Sequence, residues 1–324
     1  MLTSEQILKQ VNEAIAAIEY PSNPIGLYEP IRYVLSIGGK RLRPVMMLLC
    51  TQANGGNVNQ VMPAAIGLET YHNYTLLHDD LMDRADMRRG MPTVHRKWNS
   101  NTAILSGDSM LVLACRHILS TDHPHIREAM NVFVTTALEI GEGQQYDMNF
   151  EMRSDVTQEE YIEMIRLKTS VLIACAAKMG AILSGASDNV ARQLYTFGEQ
   201  VGLAFQLQDD LLDVYGDPKV FGKRIGGDIL CNKKTFLLIN AMQMASSSQM
   251  TELNRWLSLT TFDEQEKIAA VTDIYNSLDI KEITAKKINH YFMEAQRTLE
   301  CIDLSPEGKH SLQTFALSLI NRSY

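Results

Sequence analysis

The sequence predicts an all-α protein, and two observations support this fold class. Ala, Leu, Met, Glu, Gln and Lys, which favour helices, dominate long stretches of the 324-residue chain. Runs with the apolar–polar alternation that is typical of strands are absent. Turn residues divide the chain into segments of about 15–30 residues, and segments of that length predict a bundle of ten or so helices.

The segments follow from the turns in chain order. Clusters of Pro, Gly, Asn, Ser and Asp predict turns at Pro21–Pro24, Asn54–Asn57, Thr121–His125, Ser184–Asp188 and Gly216–Gly227. Thr157 and Glu160 have the spacing of a capping box, which predicts that the helix carrying Lys168 begins there. Because neither a change of composition nor a repeat of about 30–45 residues is visible, we expect one domain over residues 1–324 rather than a helical solenoid.

Composition limits the class of protein further. Thirty Lys and Arg against 38 Asp and Glu give a formal net charge of −8, which argues against nucleic acid as the main partner. The five cysteines form no C-x-x-C pair, so we expect free thiols in a reducing cytoplasm rather than disulfides or a zinc site. We expect neither a signal peptide nor a membrane span, because no basic flank precedes an apolar run and no apolar stretch approaches about 18 residues.

An acidic motif, Asp-Asp-x-x-Asp, occurs twice, in Leu77–Asp83 and in Leu207–Asp213. The first and last Asp of each copy are four positions apart, so their carboxylates project from one face of a helix. The leucines around them predict partial shelter from water, where like charges need a cation. Two such faces across a cavity would hold divalent ions, and Mg²⁺ bound with a phosphate-bearing ligand fits best. The alternative is a pair of solvated acidic helix surfaces.

Five groups of basic or polar residues accompany the acids, at Gly38–Pro44, Arg88–Arg89, Lys168–Thr169, Phe205–Gln206 and Gly222–Lys234. Two glycines allow close approach of the backbone to a ligand, and Arg holds phosphate oxygens through two hydrogen bonds. Taken alone, the first group is equally typical of a solvated basic loop and the third of a surface lysine. Together with the acids, the groups predict two diphosphate ligands, since one monophosphate would not require so much charge.

These motifs resemble those of the trans-isoprenyl diphosphate synthases, the farnesyl and geranylgeranyl diphosphate synthase group. The resemblance runs from about residue 38 to residue 234 and rests on G-G-K-R-L-R-P, D-D-L-M-D with R-R-G, G-Q-x-x-D at residues 143–147, K-T, F-Q-L-Q-D-D-L-L-D, and G-K with G-G-D and N-K-K-T. The segment after about residue 240 carries no comparable motif. The resemblance implies the isoprenoid synthase fold, a helical bundle around a central cavity, and a homodimer.

The resemblance also implies a role for each charged residue. Three Mg²⁺ ions, which Mn²⁺ can replace, would be ligated by Asp79, Asp83 and Asp209, with outer support from Asp80, Asp210 and Asp213. The allylic diphosphate would contact Arg88, Lys168, Lys223 and Lys233. Isopentenyl diphosphate would contact Lys40, Arg43, His72 and Arg89, and Arg41 would be an ion-paired support. Without the resemblance, the pattern around His72 is typical of a packed core residue.

The implied reaction is condensation of isopentenyl diphosphate with an allylic diphosphate through an allylic cation. Thr169, Gln206 and the backbone carbonyl of Lys168 would direct their dipoles at this cation, and closure of residues 222–227 would exclude water. One alternative is a non-catalytic regulatory or scaffold member, which usually lacks acids in one motif. Another is a class I terpene cyclase, which would lack the isopentenyl site and normally has a different second motif.

Residues before the first acidic motif are candidates for setting product length. Side chains tilt towards the N-terminus of a helix, so Tyr74 and Thr75 would form the floor beneath a growing tail and Tyr71 a second floor. In the family, farnesyl-making forms have bulk at both near positions or two extra residues in the motif, and this chain has neither. The pattern therefore favours a C20 product, with C15 as the alternative. Tyr74 is also compatible with ordinary helix packing.

Overall fold

The computed structural model describes residues 1–217 and 225–320, and it confirms the all-α class. The helices of the first half are α1 Ser4–Ala16, α2 Ile25–Ser36, α3 Leu42–Ala53, α4 Val58–Met82, α5 Val94–Lys97, α6 Ser100–Leu119 and α7 Ile126–Glu151. Those of the second half are α8 Gln158–Ile165, a π-helix Arg166–Ser170, α9 Val171–Ile182, α10 Asp188–Tyr215, α11 Gly227–Leu230, α12 Phe236–Met244, α13 Ser247–Ser258, α14 Glu264–Ser277, α15 Ile280–Cys301 and α16 Pro306–Ile320.

Within the described ranges, the strands are confined to one short hairpin. Strands β1 (Met87–Arg88) and β2 (Met91–Pro92) pair antiparallel, with Arg88 opposite Met91. Gly90 turns the hairpin at φ 74° and Arg89 precedes it at φ 52°. The sequence did not predict this hairpin, because two residues per strand are too few to show an alternating pattern.

Most predicted helix boundaries agree with the structure. The turns at residues 21–24, 54–57 and 121–125 separate consecutive helices. The capping box at Thr157 is present, since its side chain accepts from the Glu160 amide and Glu160 accepts from the Thr157 amide. Helix α8 ends at Ile165, however, and Lys168 lies in the π-helix that continues it.

Backbone contacts divide the chain into two compact units. The first combines residues 1–135, 175–195 and 301–315, and it contains the first acidic motif. The second combines residues 136–174 and 196–300 with the residues from Ala316, and it contains the second acidic motif. The expectation of a single domain over residues 1–324 stays a prediction.

In the first unit, α3 and α4 supply much of the core. Every residue of α3 from Leu42 to Ala53 is buried, and α4 packs on α6. Gly67 permits this close approach, because a Cβ there would lie 2.7 Å from the Ala114 carbonyl oxygen and from Ile118. The packing fixes the direction of α4, which carries His72, Tyr74 and the first acidic motif.

Among the described residues, α6 is the one helix long and apolar enough to cross a membrane by length and composition alone. One such helix is weak evidence for a membrane span and does not overturn the expectation that there is none. Ala103, Gly107, Met110 and Ala114 are buried in the unit, and a core helix passes the same test.

Candidate active site

The first acidic motif lies at the C-terminal end of α4. Asp79 is half-buried and Asp83 is exposed, and both belong to the last turn, where the Asp83 amide donates to the Asp79 carbonyl at 2.8 Å. Asp80 is 6% exposed. Arg88 holds it, with Nε 2.8 Å from each carboxylate oxygen. Burial raises the pKa of Asp80, and the hydrogen bond from Arg88 opposes that shift.

The hairpin separates the two arginines that follow the motif. Arg88 reaches Asp80, and its Nη2 lies 4.0 Å from Asp79. Arg89 turns to the other side and donates to the Gly38 carbonyl. Gly39 allows this contact, since a Cβ on that residue would lie 2.7 Å from Nη1 of Arg89. The two guanidinium groups therefore point to different sides of the hairpin.

Arg41 supports the Gly38–Pro44 loop from within. It has a left-handed backbone conformation, with φ 47°, and is 4% exposed. Its guanidinium donates to the Glu69 carboxylate at 2.8 Å, to the Leu35 carbonyl at 2.6 Å and to Asn12 Oδ1 at 3.2 Å. The ion-paired role that the resemblance implied is confirmed.

Arg43 and His72 form a pair beside this loop. Nη1 of Arg43 lies 3.0 Å from Nε2 of His72. Because a guanidinium can only donate, Nε2 must accept, and the imidazole is neutral with its proton on Nδ1. Burial and then the charge of Arg43 hold the pKa of His72 well below its usual range. Lys40 lies on the exposed part of the same loop.

Aromatic side chains form a ladder along α4. The ring centroid of Tyr74 lies 4.8 Å from that of His78 and 5.4 Å from that of Tyr71, and Tyr71 packs edge-on against Phe133 at 5.1 Å. Tyr71 is 3% exposed and Phe133 is 1% exposed. Thr75 is half-buried, and its hydroxyl donates to a backbone carbonyl of the preceding turn. The sequence did not point to Phe133, because it lies on α7 and only the fold brings it to the ladder.

In the second unit, the second acidic motif lies near the C-terminal end of α10. Asp210 is 5% exposed and accepts from the Tyr161 hydroxyl and, at 3.0 Å, from Gln206 Nε2. Burial raises the pKa of Asp210 to about 8. Asp213 accepts from the backbone amide of Asp228 at 2.9 Å, and Asp209 is half-buried. Tyr161 was missed, because nothing in the local sequence links α8 to α10.

Lys168 and Thr169 lie in the π-helix. Nζ of Lys168 is 2.6 Å from the Asp147 carboxylate, and Nζ of Lys233 is 3.9 Å from it. Burial alone would raise the pKa of Asp147, but the charges of Lys233 and Lys168 lower it. Thr169 donates to Gln206 Oε1 at 3.0 Å, so it joins the hydrogen-bond network of Asp210. Single π turns within helices are frequently found at functional sites.

Gly143, the first residue of the G-Q-x-x-D motif, has a steric purpose. A Cβ there would lie 2.8 Å from Cα of Lys168. The glycine lets α7 lie directly against the π-helix and brings Asp147, one turn further along α7, to Lys168. Lys223, also predicted as a ligand of the allylic diphosphate, lies outside the described residues.

The carboxylates fit the hard cation that the motifs predict. Across residues 1–217 and 225–320, no three His, Cys, Asp or Glu side chains converge into a cage for a metal. Mg²⁺ does not require such a cage, because it retains water and binds through one or two carboxylates together with phosphate oxygens. Asp79, Asp83 and Asp209 offer oxygen donors of this kind at half-buried or exposed positions.

Comparison with known proteins identifies the class. The model of the polyprenyl synthetase family matches residues 25–275. Geranylgeranyl diphosphate synthase of Methanosarcina mazei is 39% identical over 97% of this chain and 95% of its own length. Geranylfarnesyl diphosphate synthase of Natronomonas pharaonis is 42% identical over 71% of this chain and 73% of its own length.

Solved structures agree. A crystal structure of a geranylgeranyl pyrophosphate synthase has a TM-score of 0.95 and 42% identity, with complete coverage of both chains. The geranylgeranyl pyrophosphate synthetase of Geoglobus acetivorans has a TM-score of 0.88 and 36% identity, over 98% of this chain and 99% of that one. The chain therefore belongs to the polyprenyl synthetase family and has its isoprenoid synthase fold. It is a prenyltransferase.

Proposed function

We propose that the chain is a short-chain trans-prenyltransferase that condenses isopentenyl diphosphate with dimethylallyl, geranyl or farnesyl diphosphate and releases diphosphate. The observation that carries this proposal is that both acidic motifs are complete and each has cations within its own unit. Arg88 accompanies the first motif, and the Asp147 cluster with Lys168 and Lys233 accompanies the second. A non-catalytic regulatory member of the fold would not need two complete acidic motifs, each with its own cations.

The roles of the acids follow the division that the resemblance implies. Asp80, Asp210 and Asp213 are each engaged by protein donors, namely Arg88, Tyr161 with Gln206, and the Asp228 amide. They orient their neighbours, as outer groups around metal ligands do. Asp79, Asp83 and Asp209 would hold three Mg²⁺ ions, or Mn²⁺ in their place. Ions held there would supply neutralisation of the charge on the departing diphosphate.

The allylic diphosphate is bound by Arg88, Lys168, Lys223 and Lys233. Asp147 supports this assignment, because its half-buried carboxylate holds the Lys168 ammonium at 2.6 Å and lies 3.9 Å from that of Lys233. Because Asp147 already restrains both lysine side chains, these side chains lose less conformational entropy when they bind phosphate.

Isopentenyl diphosphate is bound by Lys40, Arg43, His72 and Arg89. The support is that all four lie in the first unit, and that Arg43 lies in the first turn of α3, which directly follows Arg41 of the buried Arg41–Glu69 pair. A neutral His72 donates through Nδ1 without adding charge, while the guanidinium groups and Lys40 supply the positive charge.

The chemistry needs no nucleophilic side chain. Departure of diphosphate leaves an allylic cation, the double bond of isopentenyl diphosphate attacks it, and the released diphosphate removes the proton. The Thr169 hydroxyl gives its hydrogen to Gln206. The lone pairs of the Thr169 hydroxyl oxygen therefore remain available to the substrate. Together with the Lys168 carbonyl, they stabilise the developing positive charge.

Product length follows from the ladder on α4. The names of similar proteins include both geranylgeranyl and geranylfarnesyl diphosphate synthases, so family membership alone does not choose a length. The Tyr74 ring contacts the Tyr71 ring, and the Tyr71 ring packs edge-on against buried Phe133, which makes a rigid floor rather than a flexible one. This floor and the small Thr75 favour C20, with C15 as the alternative.

A homodimer is the assembly that we propose. Leu105, Val112 and Leu119 are seven positions apart along α6 and are 61%, 68% and 56% exposed. Seven residues are two helical turns, so the three side chains form one apolar stripe. Burial of this stripe against a second copy of the chain explains why these exposed residues are apolar. The cytoplasmic location stays a prediction.

Product analysis tests the proposed function. The protein is incubated with Mg²⁺, labelled isopentenyl diphosphate and each allylic primer in turn, and the dephosphorylated products are sized by chromatography. We expect C20 alcohol as the main end product. Absence of condensation with every primer would indicate a regulatory member, and hydrocarbon formed from an allylic diphosphate without isopentenyl diphosphate would indicate a cyclase.

A further inference from the structure

The second unit contains a buried lysine that the proposed mechanism does not use. Lys267 lies on α14, in the part of the chain that carries no family motif, and it is 0% exposed. A buried ammonium is costly unless it is well paired. Nζ of Lys267 donates to Asn232 Oδ1 at 2.7 Å and to the Leu230 carbonyl at 3.2 Å, and it lies 4.1 Å from the centroid of Phe262.

Both acceptors belong to the segment that leads to Lys233. Leu230 ends α11, and Asn232 has a left-handed backbone conformation, with φ 55°. The Asn232 amide is held from the other side as well, since Nδ2 donates to the Leu257 carbonyl at 3.0 Å. Asn adopts this conformation more readily than most other non-glycine residues, and the hydrogen bonds from Lys267 and to α13 fix its side chain here.

The next residue is Lys233, whose ammonium lies 3.9 Å from Asp147. Its backbone amide donates to the Asp228 carbonyl at 2.9 Å, and the Asp228 amide donates to the Asp213 carboxylate at 2.9 Å. The conformation of Asn232 thus determines where the chain delivers Lys233 relative to the second acidic motif. Lys267 and Lys233 also line the same pocket.

We propose that Lys267 is a positioning residue, which places the Lys233 ammonium for the allylic diphosphate by holding Asn232. This inference rests on the proposed function of Lys233. It also assigns a purpose to α13 and α14: the Leu257 carbonyl near the end of α13 and the Lys267 ammonium on α14 together clamp one asparagine. Burial lowers the pKa of Lys267, and the two hydrogen bonds and the Phe262 ring stabilise its charged form.

Steady-state kinetics with each substrate varied in turn test the proposal. Lys267→Met retains most of the side-chain volume and removes the donor. We expect kcat/KM for the allylic diphosphate to fall about tenfold, the size of one lost hydrogen bond to a charged group, with KM for isopentenyl diphosphate unchanged. Lys286→Met, at an exposed lysine on α15, is the matched control and should match the wild type.

A double variant distinguishes positioning from general damage. Because Lys267 acts through Lys233, Lys267→Met should have little further effect on the allylic substrate in a Lys233→Ala background. Additive losses, an equal rise in both KM values, or wild-type kinetics for Lys267→Met would each overturn the proposal.

Two further outcomes are informative. If Lys267→Met does not fold, Asn232→Gly deletes the acceptor while tolerating the positive φ, and unchanged allylic kinetics in that variant would overturn the proposal. If the wild type condenses its substrates but Lys233→Ala leaves the allylic kinetics unchanged, the role proposed for Lys233 is wrong and the positioning role falls with it. If the wild type does not condense them at all, the proposed function itself is wrong.

Discussion

The Arg41 guanidinium and the Glu69 carboxylate lie 2.8 Å apart, and each side chain is 2% exposed. Removal of one partner from such a pair leaves an unpaired buried charge. We expect Glu69→Ala to lower the free energy of unfolding by about 3–5 kcal/mol. It should also raise KM for isopentenyl diphosphate, because Arg41 precedes the first turn of α3, which carries Arg43. Chemical denaturation and initial rates measure the two effects.

The exposed pair of Lys9 and Glu13, 3.9 Å apart on α1, is the control for this experiment. Glu13→Ala should change the free energy of unfolding by about 0.5 kcal/mol or less. Similar losses in Glu13→Ala and Glu69→Ala would show that the buried pair has no special role.

The acidic motifs predict dependence on a divalent cation. Condensation should require Mg²⁺ or Mn²⁺, and Asp79→Ala or Asp209→Ala should lower kcat by roughly two or more orders of magnitude, since charge on the leaving group is then poorly neutralised. Asp273→Ala, at an exposed position on α14, is the control. Full turnover in excess chelator would refute the metal assignment, and circular dichroism shows whether each variant retains its fold.

The two sets of cations predict separate effects on the two substrates. Arg43→Ala should mainly raise KM for isopentenyl diphosphate, because Arg43 lies with His72 beside the Gly38–Pro44 loop. Lys168→Ala should mainly impair the allylic substrate or kcat, because it removes a cation of the Asp147 cluster. Equal effects of both substitutions on both substrates would contradict the division.

The aromatic ladder predicts how product length changes. Tyr74→Ala opens the upper floor and should lengthen the product by at least one isoprene unit, while Thr75→Phe narrows the space above it and should shorten the product. Tyr71→Ala combined with Tyr74→Ala should lengthen the product further, since the two rings are in contact, with centroids 5.4 Å apart. Phe133→Leu tests whether the ring that packs against Tyr71 also limits product length. If Tyr74→Ala and Thr75→Phe both gave the product distribution of the wild type, the assignment of these residues as the floor would be wrong.

His72 predicts loss of stability on acidification. Burial holds the pKa of His72 well below its usual range in the folded protein, whereas it is near 6.5 in the unfolded chain. The unfolded chain therefore binds a proton first as pH falls, so the stabilisation is complete above about pH 6.5 and decreases below it.

The measurement is the unfolding midpoint at several pH values. His72→Gln retains a polar partner for Arg43 and does not titrate, so its loss of stability between about pH 7 and pH 5 should be smaller than that of the wild type. His290→Gln, at an exposed histidine on α15, should behave like the wild type. Parallel curves for wild type and His72→Gln would show that another group is responsible.

Much of the first acidic motif could be predicted because it depends on spacing within one helix. Asp79 and Asp83 are four positions apart, and helical periodicity alone puts them on one side of α4. The same periodicity places Tyr74 above Tyr71, and the rings of these two residues are in contact. The adjacent arginines illustrate the limit: that Arg88 and Arg89 diverge was predictable, but their partners, Asp80 and the Gly38 carbonyl, were not.

Contacts between elements distant in sequence required the structure. The Tyr161 hydroxyl on Asp210, Phe133 beneath Tyr71, and Lys267 on Asn232 each join residues 35 or more positions apart. No periodic pattern relates such positions, so only the packing of one helix on another selects them. The π turn at Arg166–Ser170 is similar, because it depends on the space left by Gly143.

The helical class, the main turns, the paired acids and the cationic segments were predictable from the chain, since they follow from backbone preference and from charge at short spacing. How deeply each charge is buried, and which distant residue holds it, depends on the packing of the helices. Asp80 and Asp79 are neighbours with the same side chain, yet Arg88 holds the buried Asp80 through both carboxylate oxygens while Asp79 stays half-buried at the helix end. The two aspartates therefore differ in burial and in their hydrogen-bond partners, and both properties depend on the whole fold.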